Sequence, residues 1–250
     1  MAATPPFRPA TSDTGAGRAR LGATAPRAAG PGRWASRVSV AGMVAPAGFF
    51  TVMMVLGLVT PGYDWVARYG SELSLGRLGA IMIANFIALG VVELALATAL
   101  GPAIGDRASG RVATAAVGLL GAAFVVAGAC VTDPAKLVTG AHTWHGTVHA
   151  LMAVVIFFIA TPIAGLAMAR RCRGQRGFAR YCALTAVATP ALLAATFVSG
   201  SLLGLAERIV IAVVLAWLTT LALQLRRACG SPVQRKTGTS IATRTGKAGQ

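Results

Sequence analysis

The chain reads as an all-α protein, a six-transmembrane-helix bundle between two basic tails. Three observations predict this. Six apolar runs, most of them close to the roughly 20 residues that cross a hydrocarbon core, are separated by short polar loops. Of 250 residues, 55% are hydrophobic and only 12% charged, about half the charge of a typical soluble domain. The 23 Lys and Arg residues fall in blocks that alternate between heavily and sparsely charged loops.

Residues 1–37 are rich in Ala, Pro, Gly and Arg without apolar periodicity, which predicts a disordered basic tail. Their Arg-rich, acid-poor make-up also fits a transit peptide, but a long apolar helix follows directly and favours a retained tail. The membrane domain is expected over 38–225. Its first span, about 38–60, exceeds a signal-peptide core and lacks a small-x-small cleavage site before Pro61. Further spans are expected near 79–100, 112–131, 146–169, 183–205 and 209–225, and a second disordered basic tail over 226–250. In lipid the backbone must satisfy its own hydrogen bonds, so each run is a helix. Pro46, Pro162 and Pro190 are expected to kink theirs. Gly200 with Gly204, and Ala123 with Ala127, form small-xxx-small pairs suited to close helix packing.

Loop charge predicts orientation. Nineteen Lys and Arg residues sit in the two tails, at Arg107 and Arg111, and over Arg170–Arg180; Arg68, Arg77, Lys136 and Arg208 are the four on the other side. The positive-inside rule then puts both termini in the cytoplasm. Tyr63, Trp65, Tyr69 and Trp144 mark the outer interface, Trp34 and Tyr181 the inner. The Arg-over-Lys bias and abundant Ala suggest a GC-rich bacterial gene, hence a bacterial cytoplasmic membrane. The net charge of +16 is read as attraction to the anionic lipid bilayer, not to nucleic acid. Cys130, Cys172, Cys182 and Cys229 form no CxxC pair, so no zinc ribbon or disulfide framework is indicated.

With that topology the unusual polar residues collect at the outer surface. The stretch 140–149 holds all three histidines. If its helix starts near Ala141, His142, His145 and His149 fall within an arc of roughly 60° on one face. Neutral imidazoles so spaced can share a divalent metal such as zinc, with Asp133, Ser71 and Glu72 to supply a further ligand or general base. Gly146 would leave a gap beside His145 for water or substrate. Plainer readings stand beside these. Asp133-Pro134 is a good helix start, Ser71 and Glu72 suit the approach to the second span, and Glu207-Arg208 suits a local ion pair closing a tight turn. Glu93 lies deep in the second span and is expected to be buried and uncharged, bonded to a hydroxyl such as Thr51 or Thr114; a place in a proton or ion path is the functional reading.

Three short motifs together resemble one family. They are Tyr69-Gly-Ser-Glu-Leu73, Thr132-Asp-Pro134 followed by His145-Gly-Thr-Val-His149, and Gly204-Leu-Ala-Glu-Arg208. Their order and placement resemble the six-span bacterial integral membrane family called domain of unknown function 998, over about 38–225. The resemblance implies a six-span fold and a polar outer face, and no particular reaction.

Two functional classes lead. One is a metal-dependent hydrolase or transferase acting on a lipid, small-molecule or exported substrate at the outer site. The other is a small-solute transporter or channel, or a non-catalytic accessory or sensing protein whose outer face docks a partner. A bis-histidine haem carrier fits poorly, because all histidines lie on one helix.

Overall fold

The structure is a computed structural model and describes residues 32–105, 107–134, 142–197 and 200–230. Most of both tails, whose disorder was expected from composition, and residues 135–141 of the second loop lie outside the described residues. The elements are α1 (Arg33–Val59), a 3₁₀ turn (Gly70–Leu75), α2 (Gly79–Ile104), α3 (Ala108–Ala129), α4 (Trp144–Val154), a π segment (Val155–Ala160), α5 (Thr161–Arg171), α6 (Arg176–Thr196), a short turn (Gly200–Leu202) and α7 (Leu203–Gly230). α4, the π segment and α5 run as one helix, so among the described residues six helices are long and apolar enough to cross a membrane. No strand occurs among the described residues.

Helix ends differ from expectation in one place that matters. The fifth span stops at Thr196 and the last begins at Leu203. Leu202, Leu203 and Leu205 extend the apolar run and disguise the break. Gly200, which opens the short turn before α7, takes φ +53, a left-handed conformation that suits glycine. The segment Gly204 to Arg208 is therefore the opening of α7 and not a turn, and Gly200 and Gly204 form no helix-packing pair.

The six spans close into a ring: α1 packs on α2 and α7, α2 on α3, α3 on α4 and α5, α5 on α6, and α6 on α7. Met53, Met82, Leu120, Trp217 and Leu218 are fully buried inside it. Outside, Val44, Leu58, Leu184 and Val187 are 63–70% exposed, a belt that suits acyl chains and not water. The ring brings five helix ends bearing arginines, those of α1, α3, α5, α6 and α7, together at one end, the arginine end. The 3₁₀ turn and the loops around Asp133 and Gly200 lie at the opposite, loop end.

The closest approach is between α2 and α3. A Cβ on Gly90 would lie 2.5 Å from the Gly121 carbonyl oxygen, and one on Gly121 would lie 2.8 Å from the Gly90 oxygen. Gly128 sits against Phe86 in the same way, at 2.8 Å. Ala123 and Ala127 are buried on α3, but glycines make the seam.

Glu93 adjoins this seam, fully buried, and neither carboxyl oxygen has a hydrogen-bond partner among the described residues. The expected hydroxyl partners are elsewhere: Thr51 is exposed, and Thr114 faces Gly101, two turns further along α2. Glu93→Gln is expected to insert and fold normally. Glu93→Met, which replaces an unsatisfied polar group by an apolar one of similar length, should stabilise the bundle by about 1–3 kcal/mol. Unfolding in mixed micelles measures this, and a destabilised Met variant would mean that the carboxyl has a partner.

Pro162 follows the π segment by one residue, Thr161. Proline cannot donate to the carbonyl four residues back, that of Phe158, and the turn before it is wound more loosely. Pro46 and Pro190 lie inside α1 and α6 as expected, and Pro102 inside α2 was not singled out.

Candidate functional site

At the loop end, the opening of α7 is docked on the first loop. Asp64 starts that loop, its Oδ1 accepting from the amides of Val66 (2.9 Å) and Ala67 (3.1 Å) in a tight local turn. The Leu205 amide, one of the donors that a helix start leaves unpaired, bonds the Val66 carbonyl at 2.9 Å. Gly204 lies flat on the loop: a Cβ there would overlap the Arg68 carbonyl oxygen and come within 2.8 Å of that of Trp65.

Glu207 and Arg208 make no ion pair with each other; they reach in different directions. Glu207 Oε2 accepts from the Gly70 amide at 2.6 Å, holding the 3₁₀ turn. Arg208 is buried, with Nη1 on the carbonyls of Arg68 (3.0 Å) and Gly204 (2.9 Å) and Nη2 on the Tyr63 hydroxyl (2.8 Å). The Tyr63 hydroxyl donates onward to the Tyr69 carbonyl at 2.6 Å. Burial pushes its pKa up, partly offset by Arg208. Glu72 is committed to this scaffold through Arg68 (2.7 Å) and the Tyr69 amide (3.3 Å). Ser71, on the same turn, is buried, and no hydrogen bond engages its hydroxyl among the described residues.

The second loop disperses the histidines. Thr143 is the N-cap of α4, so the helix begins two residues after His142, not before it. Asp133 supports that cap from outside: its carboxylate accepts from the Thr143 hydroxyl (2.7 Å) and amide (3.0 Å), while Thr143 Oγ1 accepts from the Gly146 amide (3.0 Å). The expected gap at Gly146 is filled by this carboxylate, which a Cβ at 146 would strike. His142 is exposed, with Nδ1 3.6 Å from Asp133 Oδ2. His145 is exposed and stacks on Trp144 at 3.7 Å between ring centroids. Only His149 turns inward. Among the described residues no three His, Cys, Asp or Glu side chains come together to hold a metal.

The Thr143 hydroxyl, aided by its amide and by His142, holds the Asp133 carboxyl below its ordinary range against the cost of burial. A carboxyl lowered in the folded state adds stability above its unfolded pKa and loses it as pH falls through the folded value. Acidification through that range should therefore loosen the start of α4. Hydrogen-exchange protection at the Thr143 and Gly146 amides, taken relative to the intrinsic rate at each pH, should fall at low pH in the wild type and be low at all pH values in Asp133→Asn. Wild-type protection that does not change with pH would sink this account.

His149 is 8% exposed, and its Nδ1 lies 2.8 Å from the Ala127 carbonyl oxygen and 3.0 Å from that of Cys130. Carbonyls only accept, so Nδ1 carries the proton and Nε2 is left as the open nitrogen. The ring meets Phe86 edge-on at 5.8 Å, above a cluster of Phe49, Phe86 and Phe124. His149, Ser71 and Glu207 line one cavity of about 250 Å³. Tyr69 and Thr132 add polar groups, and Val154, Phe158 and Phe197 form its apolar side. The π segment supplies Phe157 and Phe158, a placement common for such segments at functional sites.

The family described as Protein of unknown function (DUF998) matches residues 43–224, all six spans but for the outermost turns. The chain belongs to the DUF998 family. No curated protein and no solved structure matches it.

In this DUF998 protein the three sequence motifs meet at the loop end. Glu207 of the third motif holds the 3₁₀ turn of the first, and His149 of the second shares the cavity with Ser71 and Glu207. Sequence reasoning missed Tyr63 and Arg68 as the framework and Thr143 as the cap. Thr143-x-x-Gly146 before an apolar run carried a usable N-cap signal. Tyr63 had none beyond its place in an interfacial loop.

Proposed function

We propose that this DUF998 protein is a membrane-embedded hydrolase or transferase for a lipid-like amphiphile, with Ser71 as nucleophile and His149 as base. The observation that carries the reading is the fixed tautomer of His149: two carbonyls at the end of α3 hold Nδ1–H and leave Nε2 open on a residue that lines the same cavity as Ser71. A base oriented by a third group beside a hydroxyl is the arrangement that activates a nucleophile. Ser71 Oγ attacks an acyl carbonyl as its proton passes to Nε2; the imidazolium returns that proton to the leaving alkoxide, and water or a second alcohol releases the acyl group. Glu207 offers an acceptor for a polar head.

The cavity wall supports the substrate class. Val154, Phe158 and Phe197 are 43%, 39% and 72% exposed on the lipid-facing side, so an acyl chain reaches the polar end sideways from the bilayer. The expected zinc finds no ligand set among the described residues and enters no step. The nineteen-to-four division of basic residues supports a bacterial cytoplasmic membrane with the arginine end inside and the cavity in the outer leaflet. Alkaline phosphatase fused after Arg227 should be inactive and a fluorescent protein fused there should fluoresce; the reverse pair overturns the orientation.

An alkyl fluorophosphonate tests the chemistry. It should form a covalent adduct on the peptide that contains Ser71 and none in Ser71→Ala. No adduct on the wild type, under conditions that label a serine hydrolase control, would remove the nucleophile.

A further inference from the structure

A second cavity, of about 170 Å³, lies at the arginine end, between the last turns of α2, α5 and α7 and the start of α6. It has an apolar wall that includes Leu100, Phe178 and Leu225, and a polar rim of Arg171, Gln175 and Gln224. We propose that this cavity binds the phosphate headgroup of an anionic phospholipid from the adjacent leaflet. The site does not depend on the reaction assigned to the opposite end.

Arg171 is the centre of the argument. Its Nε donates to the Ile104 carbonyl at 2.5 Å, satisfying one of the carbonyls left unpaired at the end of α2. That bond fixes the guanidinium at the cavity rim. Nη1 and Nη2 make no hydrogen bond among the described residues, and a planar pair of such donors matches two phosphate oxygens. Gln175, the N-cap of α6, makes no side-chain cap bond, so the first amides of a 21-residue helix add positive potential beside the same rim.

Among the described residues, which leave out Asp106, charge at this end is one-sided. Arg170, Arg173, Arg176, Arg180 and Arg226 share it. The five acids among the described residues are elsewhere: Asp64, Glu72, Asp133 and Glu207 at the loop end, and Glu93 sealed between α2 and α3. Trp34, 59% exposed at the start of α1, marks headgroup level. The apolar wall distinguishes a lipid from a soluble anion: a phosphate at Arg171 places the attached glycerol and upper acyl carbons against Leu100 and Phe178.

The test uses full-length protein in neutral detergent, titrated with phosphatidylglycerol, phosphatidylcholine or inorganic phosphate while thermal unfolding is followed. Phosphatidylglycerol should raise the unfolding temperature, and the other two should not. Arg171→Gln should weaken the apparent affinity at least tenfold, and Arg173→Gln, an exposed arginine off the cavity rim, no more than about twofold. An equal loss in both variants would assign the effect to diffuse charge; an equal response to inorganic phosphate would assign it to a soluble anion. Either overturns the site, as does a wild type indifferent to phosphatidylglycerol. Cys172, which lines the cavity, gives a readout that needs no substitution. Burial pushes its thiol pKa up, with Arg171 partly offsetting, so alkylation is run at alkaline pH. Phosphatidylglycerol should slow alkylation at Cys172 severalfold and phosphatidylcholine should not, with Cys229 as the internal comparison; equal rates in both lipids refute occupancy.

Discussion

Gly204→Val should destabilise the protein by at least about 3 kcal/mol, the upper range for forcing bulk into a packed site. The atoms that a side chain would meet are the backbone oxygens of Arg68 and Trp65, which have no rotamer to change. Relief requires lifting the first loop from α7. That breaks the bond between Leu205 and Val66 and withdraws the Arg68 carbonyl from Arg208. Arg208→Met attacks the same junction from the other side. It takes a donor from the Arg68 and Gly204 carbonyls and from the Tyr63 hydroxyl, which keeps its bond to the Tyr69 carbonyl, at a cost of about 3 kcal/mol for a buried charged donor removed without its acceptors. Because both break one junction, the double variant should cost clearly less than the sum. Denaturant unfolding in mixed micelles measures all three. A Gly204→Val protein within 1 kcal/mol of wild type, or strict additivity, would show that the loop does not rest on α7 as described.

His149→Ala should slow fluorophosphonate labelling of Ser71 by a factor of about 10²–10⁴, the usual contribution of a positioned general base. His149→Gln is the sharper variant. Its amide can still donate to the Ala127 and Cys130 carbonyls and so keep the α3–α4 contact, but it has no basic nitrogen to present. A structural role for His149 predicts that Gln rescues labelling, and a base predicts that it does not. Unfolding midpoints measured beside the rates separate lost chemistry from lost folding. Labelling within threefold of wild type in a folded His149→Gln protein would dispose of the base.

The six spans were legible because an uninterrupted apolar run of that length has one solution in lipid. The family was legible because its motifs fall at loop positions that the spans define. The site was less so, for reasons that differ by residue. His142 was placed on a helical stripe by periodicity, which says nothing about where a helix begins; Thr143 takes the cap and leaves His142 outside. Gly204 lay in an unbroken apolar run, and the break shows only in the backbone, where α6 stops at Thr196 and α7 begins at Leu203. The burial of Glu93 was readable, but its lack of partners was not, since that depends on which residues of α3 face it. The partners of His149 are main-chain carbonyls near the end of α3, and every residue has a carbonyl, so sequence marks none of them.

The looser winding at Val155–Ala160 also sets a phase. Wound one residue more per turn, it takes up an extra residue without turning the upper half of the span against the lower, so the direction His149 faces is measured from the α5–α6 contact through those six residues. Removing one residue from the α-wound part of the span between His149 and Val154 would instead turn everything above it by about 100° and 1.5 Å. His149 would then leave the α3 carbonyls and face another neighbour, with no change to any residue that it touches. The span behaves like a shaft with a keyed coupling, whose upper end is timed by its lower, and its lower end sits against Pro162 and the rest of α5.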